Sequence, residues 1–325
     1  MYKRKFILFV FFYSVIAIGF LLAGCNLWED ITSGENEGGI HPPQPVIGNS
    51  YGEAAWGPNN WIVCCHTPWR VDTVVTEISD DFIDSFIVSD SGGLWLIKPD
   101  GPVKSLLAAG AYECPDWSPD GGWIVCSDLE GRLWCIEVEG DSIFALTEDG
   151  KRWYPSFDPT GEKLLFARHM GADSGGIWIL DLLSGHERRI TPFGDSPDFS
   201  PSGDKFVCFG WEESYKKPVL KIVDTLGSTV KVLVSEFNFV HYPSFSPDGS
   251  MIVFDTGGGD PCIWVINADG TGLRRLVRHG RTPSFSPDGQ KIVYVRYSTH
   301  NLHLPGNGKL WIVNIDGSNN HQLTF

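Results

Sequence analysis

Pro115-Asp116-Trp117-Ser118-Pro119-Asp120-Gly121 is a seven-residue phrase that the chain repeats four more times. The other copies are Pro155–Gly161 (PSFDPTG), Pro197–Gly203 (PDFSPSG), Pro243–Gly249 (PSFSPDG) and Pro283–Gly289 (PSFSPDG), at steps of 40, 42, 46 and 40 residues. A fixed period of this size marks a repeat architecture, in which one unit cannot bury its apolar surface without its neighbours. Within the phrase, proline presets φ, the Asp or Ser oxygen folds onto nearby backbone amides, and glycine supplies a positive φ. It therefore reads as a tight turn at the end of a short strand.

Working outward, each unit continues alike. Core residues such as Ile252-Val253-Phe254 lead through a variable loop to a second run such as Ile263-Trp264-Val265-Ile266. A Gly-containing turn (Ala268-Asp269-Gly270) and a last run (Leu273–Leu276) complete the unit. β-Branched content and Asp-Gly pairs predict strands joined by hairpins. The second run occurs six times, at Leu94–Ile97, Leu133–Ile136, Ile177–Leu180, Leu220–Val223, Ile263–Ile266 and Leu310–Val313. The leading phrase adds a decayed sixth copy at Ala55–Val63. Both columns predict an all-β, six-bladed β-propeller of four-stranded antiparallel blades over residues 54–325. Trp fills one column in five blades, with Lys221 in the other, and reads as packing between blades. The last unit carries its own fourth strand at Leu323–Phe325, so ring closure needs no strand from the N-terminus.

The combination of [Trp/Phe]-Ser-Pro-Asp-Gly, Leu-Trp followed by Asp-Gly, and Leu-Thr (Leu146-Thr147, Ile190-Thr191, Leu323-Thr324) resembles the WD40-like repeat of the TolB family. The resemblance implies a propeller that contacts other proteins of the bacterial envelope. A Pal-like partner follows only by analogy. The family also carries an N-terminal α/β domain, and contact with TolA belongs to that domain. Here a short tether stands in its place, so that contact is not carried over.

The ends carry their own signals. Lys3, Arg4 and Lys5 precede an uncharged apolar run from Phe6 to Leu22, closed by Leu22-Ala23-Gly24-Cys25. A basic start, an apolar stretch and small residues before a cut site read as an export signal over residues 1–24. Leu-Ala-Gly-Cys resembles the bacterial lipobox, which implies lipidation of Cys25 and an anchor in a membrane. Residues 25–53, rich in Gly, Pro, Asn and Glu, read as a tether. The stretch Gly48-Asn49-Ser50-Tyr51-Gly52 matches a nucleophile-elbow pattern in letters but lacks the strand and helix that the chemistry needs.

Removal of residues 1–24, which hold three cations and no anion, takes the net charge from −15 to −18. An acidic surface repels phosphate backbones, which argues against nucleic acid as a partner. Arg274, Arg275, Arg278 and Arg281 read as a solvated strand face. Cys64, Cys126 and Cys208 fall in the column of Phe166, Phe254 and Tyr294, where a thiol behaves as a small apolar group. Cys126 and Cys135 face each other across an expected hairpin, which allows one disulfide in an exported protein.

Propellers place innermost strands around a channel, and loops at one rim form the usual binding surface. The residues ahead of each phrase are therefore the expected channel-mouth set: Tyr112, Glu113, Arg152, Trp153, Tyr154, Asp195, His241, Tyr242 and Arg281. Mixed aromatic and charged groups suit a peptide or protein loop, with no catalytic residue, metal or cofactor expected. A channel-centred carbohydrate-active enzyme of the polysaccharide-lyase type is the alternative, resting on His241, His279 and Arg281, and an envelope ligand sensor is a third reading. Asn267–Gly270 looks like a fragment of a calcium loop, but its recurrence reads as a hairpin turn. Insertions at His66–Gly93, Trp211–Lys217 and Tyr297–Gly308 are where a partner-specific surface would be built.

Overall fold

The computed structural model describes residues 46–72, 86–88, 92–100, 104–169, 175–237, 239–257, 260–297 and 308–324. The signal segment 1–24, Cys25 and the tether up to residue 45 lie outside the described residues. So do most of the insertions in blades 1 and 6.

Among the described residues the strands form six antiparallel sheets, and no helix occurs. Blade 1 comprises Val46–Trp56, Ile62–Asp72, Gly93–Ile97 and Lys104–Ala109, with the short strand Phe86–Val88 paired to its second strand. Blade 2 is Tyr112–Trp117, Trp123–Asp128, Leu133–Glu137 and Ile143–Ala145. Blade 3 is Trp153–Phe157, Lys163–Arg168, Gly176–Asp181 and Glu187–Thr191. Blade 4 is Asp195–Phe199, Lys205–Glu212, Lys217–Asp224 and Thr229–Val234. Blade 5 is His241–Phe245, Met251–Thr256, Cys262–Asn267 and Arg274–Arg278, and blade 6 is Gly280–Phe285, Lys291–Tyr297, Gly308–Asn314 and His321–Gln322. Apart from Phe86–Val88, strands pair in sequence order, and the first strand of each blade lies against its counterparts in the two flanking blades. The result is the expected six-bladed propeller.

The core is divided into six apolar wedges, one per blade junction. Val63, Leu94, Leu96 and Ala108 of blade 1 meet Trp117, Ile124, Cys126 and Ile136 of blade 2, for example. Equivalent clusters fill the other junctions, including blade 6 against blade 1, where Val293, Val295, Leu310 and Ile312 meet Ala54, Trp56, Ile62 and Cys64. Fully burying one such side chain is worth about 1.5–3 kcal/mol, so closing the ring recovers burial that an open stack would forfeit. The ring closes by this packing, with the strands of each blade drawn from one stretch of the chain.

The repeated columns now have physical roles. In the turn after blade 2's first strand, Gly121 sits at φ +73 and its N–H donates to Ser118 O (2.9 Å). Ser118 Oγ donates to Asp120 Oδ1 (2.6 Å) and accepts from Trp123 N–H (2.9 Å). The threonine of each Leu-Thr pair is buried and accepts the N–H that opens the third strand: Thr147 from Leu133 (3.0 Å), Thr191 from Ile177 (3.4 Å) and Thr324 from Leu310 (3.0 Å). The tryptophans at 95, 134, 178, 264 and 311 each pack on the wedge shared with the preceding blade. Lys221 takes that place in blade 4, buried, with Nζ donating to Trp211 O (2.6 Å) and lying 3.2 Å from Glu212 Oε2. It ties down the hairpin that carries the blade 4 insertion.

Two expectations are corrected by register. Cys135 stands opposite Val125, and Cys126 opposite Trp134. Neighbours along a strand alternate faces, so the two thiols point to opposite sides of the sheet and the Cys126–Cys135 disulfide does not form. The Gly48–Gly52 stretch, read as tether, lies in the first strand of blade 1, with Ser50 opposite Thr67. That strand begins at Val46, inside the 25–53 segment.

Candidate functional site

The channel wall is built from one equivalent triplet per blade. Its first positions are Glu53, Cys114, Tyr154, Ser196, Tyr242 and Thr282, and the next residue is proline in all but blade 1. Each first strand carries a bulge here, as between Glu113 and Asp116 or Trp153 and Ser156. Cys114, Tyr154, Ser196, Tyr242 and Thr282 all adopt a left-handed backbone, with φ between 47° and 55°. Such a conformation costs a non-glycine residue about 1–2 kcal/mol, so the surrounding structure must over-determine it.

What holds the bulge is a belt of bonds between blades. In four of the five blades that carry the proline, the residue after it turns to the next blade and accepts a backbone N–H there. Asp116 Oδ2 takes Phe157 N–H (2.9 Å), Ser156 Oγ takes Phe199 N–H (3.3 Å), and Asp198 Oδ2 takes Phe245 N–H (2.7 Å). Ser284 Oγ takes Trp56 N–H (3.1 Å) across the closing junction. Blade 1 has Ala55 at this position, and its carbonyl accepts from Trp117 Nε1 (3.1 Å). These residues were absent from the expected set. Their signal was in plain view, as a short polar residue at the second place of every full phrase.

The channel is narrow, about 110 Å³, and is spanned by side chains. The Glu53 carboxylate accepts from Cys114 N–H on one side and from the Tyr242 hydroxyl on the other. Tyr242 meets Tyr154 edge to face at 5.4 Å. Burial, then the Glu53 charge, pushes the Tyr242 hydroxyl well above its ordinary pKa, and burial does the same for Tyr154. Three carboxylates, Glu53, Asp116 and Asp198, line the wall. Burial and Glu53 raise Glu113 to about 7, and burial raises Asp116 to about 6 and Asp198 to about 7. Behind them, burial raises Asp255, which accepts Thr282 N–H at 2.7 Å, to about 7.

The nine expected mouth residues divide three ways. Tyr154 and Tyr242 stand on the channel wall. Trp153 stacks on His169 (5.1 Å, 6° between planes), and His169 Nε2 lies 3.1 Å from Asp195 Oδ1, which also takes Ser196 N–H. His241 packs beside Tyr242, and burial holds its imidazole below the ordinary value, aided by Arg281 and opposed by Asp195. Glu113 feels the charge of Glu53, and His241 and Asp255 feel that of Arg281. Tyr112 and Arg152 are engaged elsewhere. Tyr112 packs edge-on to Trp134 in the wedge between blades 1 and 2. Arg152 is buried between Asp149 (2.7 Å) and Glu187 (2.8 Å).

The loops between second and third strands share this rim with the connectors between blades. Lys151 and Arg152 donate backbone N–H groups to Glu130 O and Gly131 O (2.9 and 2.8 Å), and Gly280 to Pro261 O (3.1 Å). Trp211 and Tyr215 of the blade 4 insertion are exposed there, with Phe193 and Phe239 on the connectors that flank blade 4. His279, the other histidine of the lyase reading, lies 3.1 Å from Asp260. Among the described residues no three His, Cys, Asp or Glu side chains converge as a metal-ligating group.

Relatives support the same architecture. The Tol-Pal system protein TolB of Francisella tularensis subsp. holarctica is 27% identical over 179 residues, covering 52% of this chain and 39% of that protein. An uncharacterized protein of Agrobacterium fabrum is 28% identical over 119 residues, 30% of this chain and 39% of its own. The chain thus matches about two fifths of the length of these curated relatives. Among solved structures, TolB from Acinetobacter baumannii superposes with a TM-score of 0.62 at 17% identity, covering 86% of this chain and 80% of that one. An oligogalacturonate lyase in complex with manganese superposes with a TM-score of 0.52 at 13% identity, over 87% and 79% of the two chains. At these identities the structural likeness speaks for the fold alone. The family described as TolB beta propeller domain matches residues 103–282, more than half of the chain. With six blades, the phrase at five of their first turns and that family match, this chain belongs to the TolB beta propeller domain family.

Proposed function

We propose that this chain is a lipid-anchored protein of the bacterial envelope that presents the mouth rim of its propeller to a protein or peptide partner, without catalysis. The observation that supports the reading is the rim itself. Trp211, Tyr215, Phe193 and Phe239 are exposed on one sector, beside the Trp153–His169–Asp195 group, and large exposed aromatics are the residues that anchor protein interfaces. The filled, narrow channel suits the insertion of a single side chain. A glycan of several units needs a cleft of roughly 300 Å³ or more.

Crosslinked capture from native membranes tests this. A Trp211→Ala, Tyr215→Ala, Phe239→Ala variant keeps the core and is expected to lose about tenfold of its captured partner. Equal capture by variant and parent would remove the rim from the interface. The anchor is tested apart from the rim. Cys25→Ser is expected to move the protein from the membrane fraction to the soluble one, and unchanged partitioning would refute lipidation.

A further inference from the structure

The first turns of the blades stack into a girdle on the face opposite the mouth. From blade 2 to blade 6, each turn glycine lies against the turn proline of the blade before it. A Cβ added at Gly121 would meet Pro58 at 3.3 Å, and at Gly161, Gly203, Gly249 and Gly289 it would meet Pro119, Pro159, Pro201 and Pro247 at 3.5, 3.2, 3.5 and 3.6 Å. The girdle breaks at one place. Where blade 1 meets blade 6, Asn60 stands in the glycine position and Pro287 in the facing one. Asn60 keeps the left-handed backbone (φ +61) and the turn still closes, its N–H donating to Gly57 O at 3.1 Å. It brings a side chain into a place that glycine leaves without one in the other five blades. A cavity of about 390 Å³ opens at this junction, bordered by both residues.

The lining states what the cavity can take. Its apolar surface comes from Trp56 and from the rings of Pro58, Pro99 and Pro287. Asn60 Oδ1 accepts from Trp56 Nε1 (2.9 Å), which fixes the amide and leaves its NH2 to donate. Asp288 uses Oδ1 for Ser286 Oγ (2.5 Å) and Gln290 N–H (3.0 Å), and its other oxygen, with the exposed Asp100 carboxylate, supplies acceptors. Lys291 supplies a second donor. Two carboxylates against one ammonium disfavour an anion, and an apolar ligand would displace water from the exposed Asn60, Asp100, Asp288 and Lys291 without replacing its hydrogen bonds. A ligand with apolar C–H faces and hydroxyl groups that both donate and accept satisfies all of them. The volume lies within the usual range for small-ligand sites, roughly 300–1,000 Å³.

We propose that the junction between blades 1 and 6 is a binding site for an uncharged, hydroxyl-rich ligand of mono- or disaccharide size. The site lies on the face away from the rim and does not rest on the partner reading above. Titration calorimetry and saturation-transfer NMR on the purified full chain, with N-acetylglucosamine, glucose, their β-1,4-linked dimers, and galacturonate as the anionic probe, test it. At least one neutral sugar is expected to bind, with galacturonate silent. Asn60→Gly restores the girdle seen at the other junctions, and Asp100→Ala removes an exposed acceptor without touching the core. Each is expected to weaken binding about tenfold while circular dichroism stays unchanged. No binding by any neutral sugar, tighter binding of galacturonate, or an affinity in both variants equal to the parent's would overturn the assignment. The rim variant is expected to bind the sugar as the parent does.

Discussion

At pH 6 the Asp198→Ala protein is expected to melt about 5–8 °C below the parent, a loss of about 2–3 kcal/mol. The size follows from what one carboxylate does in the belt. Asp198 belongs to blade 4, accepts the Phe245 N–H of blade 5 at 2.7 Å, and lies 3.4 Å from the Ser156 hydroxyl of blade 3. Ser156 in turn accepts Phe199 N–H at 3.3 Å. Truncation therefore strands a buried N–H and loosens a second clip, and an unmet buried donor costs about 1–3 kcal/mol. Asp198→Asn separates these effects. Its carbonyl still accepts Phe245 N–H, so a melting temperature within about 3 °C of the parent is expected at the same pH. Thermal unfolding followed by circular dichroism reads both, and equal melting of the alanine variant and the parent would show that the belt carries no net stability.

The second large effect is an unusual dependence on pH. Folding raises Glu113, Asp198 and Asp255 to about 7 and Asp116 to about 6. Below about pH 4 these groups hold their protons in both the folded and the unfolded chain and favour neither. Between about pH 4 and 7 the unfolded chain releases protons that the folded chain retains, so each step upward in pH favours unfolding. Above the folded values the penalty is constant. Acidification from pH 8 to pH 5 is thus expected to stabilise the protein by about 2–4 kcal/mol, reduced where channel water screens Asp116 and Asp198. Carboxylates held low by turn hydroxyls and amides, such as Asp248 at about 2, give up their stability only at still lower pH. The melting temperature should therefore peak near pH 4–5. A melting temperature that falls steadily from pH 8 to pH 5 would refute the account, and Asp198→Asn should flatten the curve.

The two effects share an origin in the way the ring is closed. Each blade can satisfy its own strand ladder, but the first strand leaves an N–H at the aromatic of the phrase, facing the neighbouring blade. At four of the six junctions a serine or aspartate on the preceding blade meets it. Serine does so at no cost in charge. Aspartate accepts more strongly but must shed water, which is why Asp116 and Asp198 titrate high while Ser156 and Ser284 serve the same bond without a pH signature.

Much of this was legible in the order of residues. The blade count, the turn at each phrase, the strand runs and the buried cysteines at 64, 126 and 208 follow from local signals: a period near forty, φ-specific turn residues and alternating apolar positions. Neighbours of that kind lie within one hairpin, so a single strand of text contains both partners. The contacts that shape the site do not have that property. Asp198 and Phe245, Ser284 and Trp56, Glu53 and Tyr242 become neighbours only because six wedges pack into a closed disc. Whether two cysteines meet depended on a register offset of one residue, which decides the face of the sheet. Whether Asn60 opens a cavity depended on the one junction where the chain's first blade returns to its last. Local chemistry wrote the blades, and closure of the ring, through packing across junctions some forty residues apart, chose which polar groups meet.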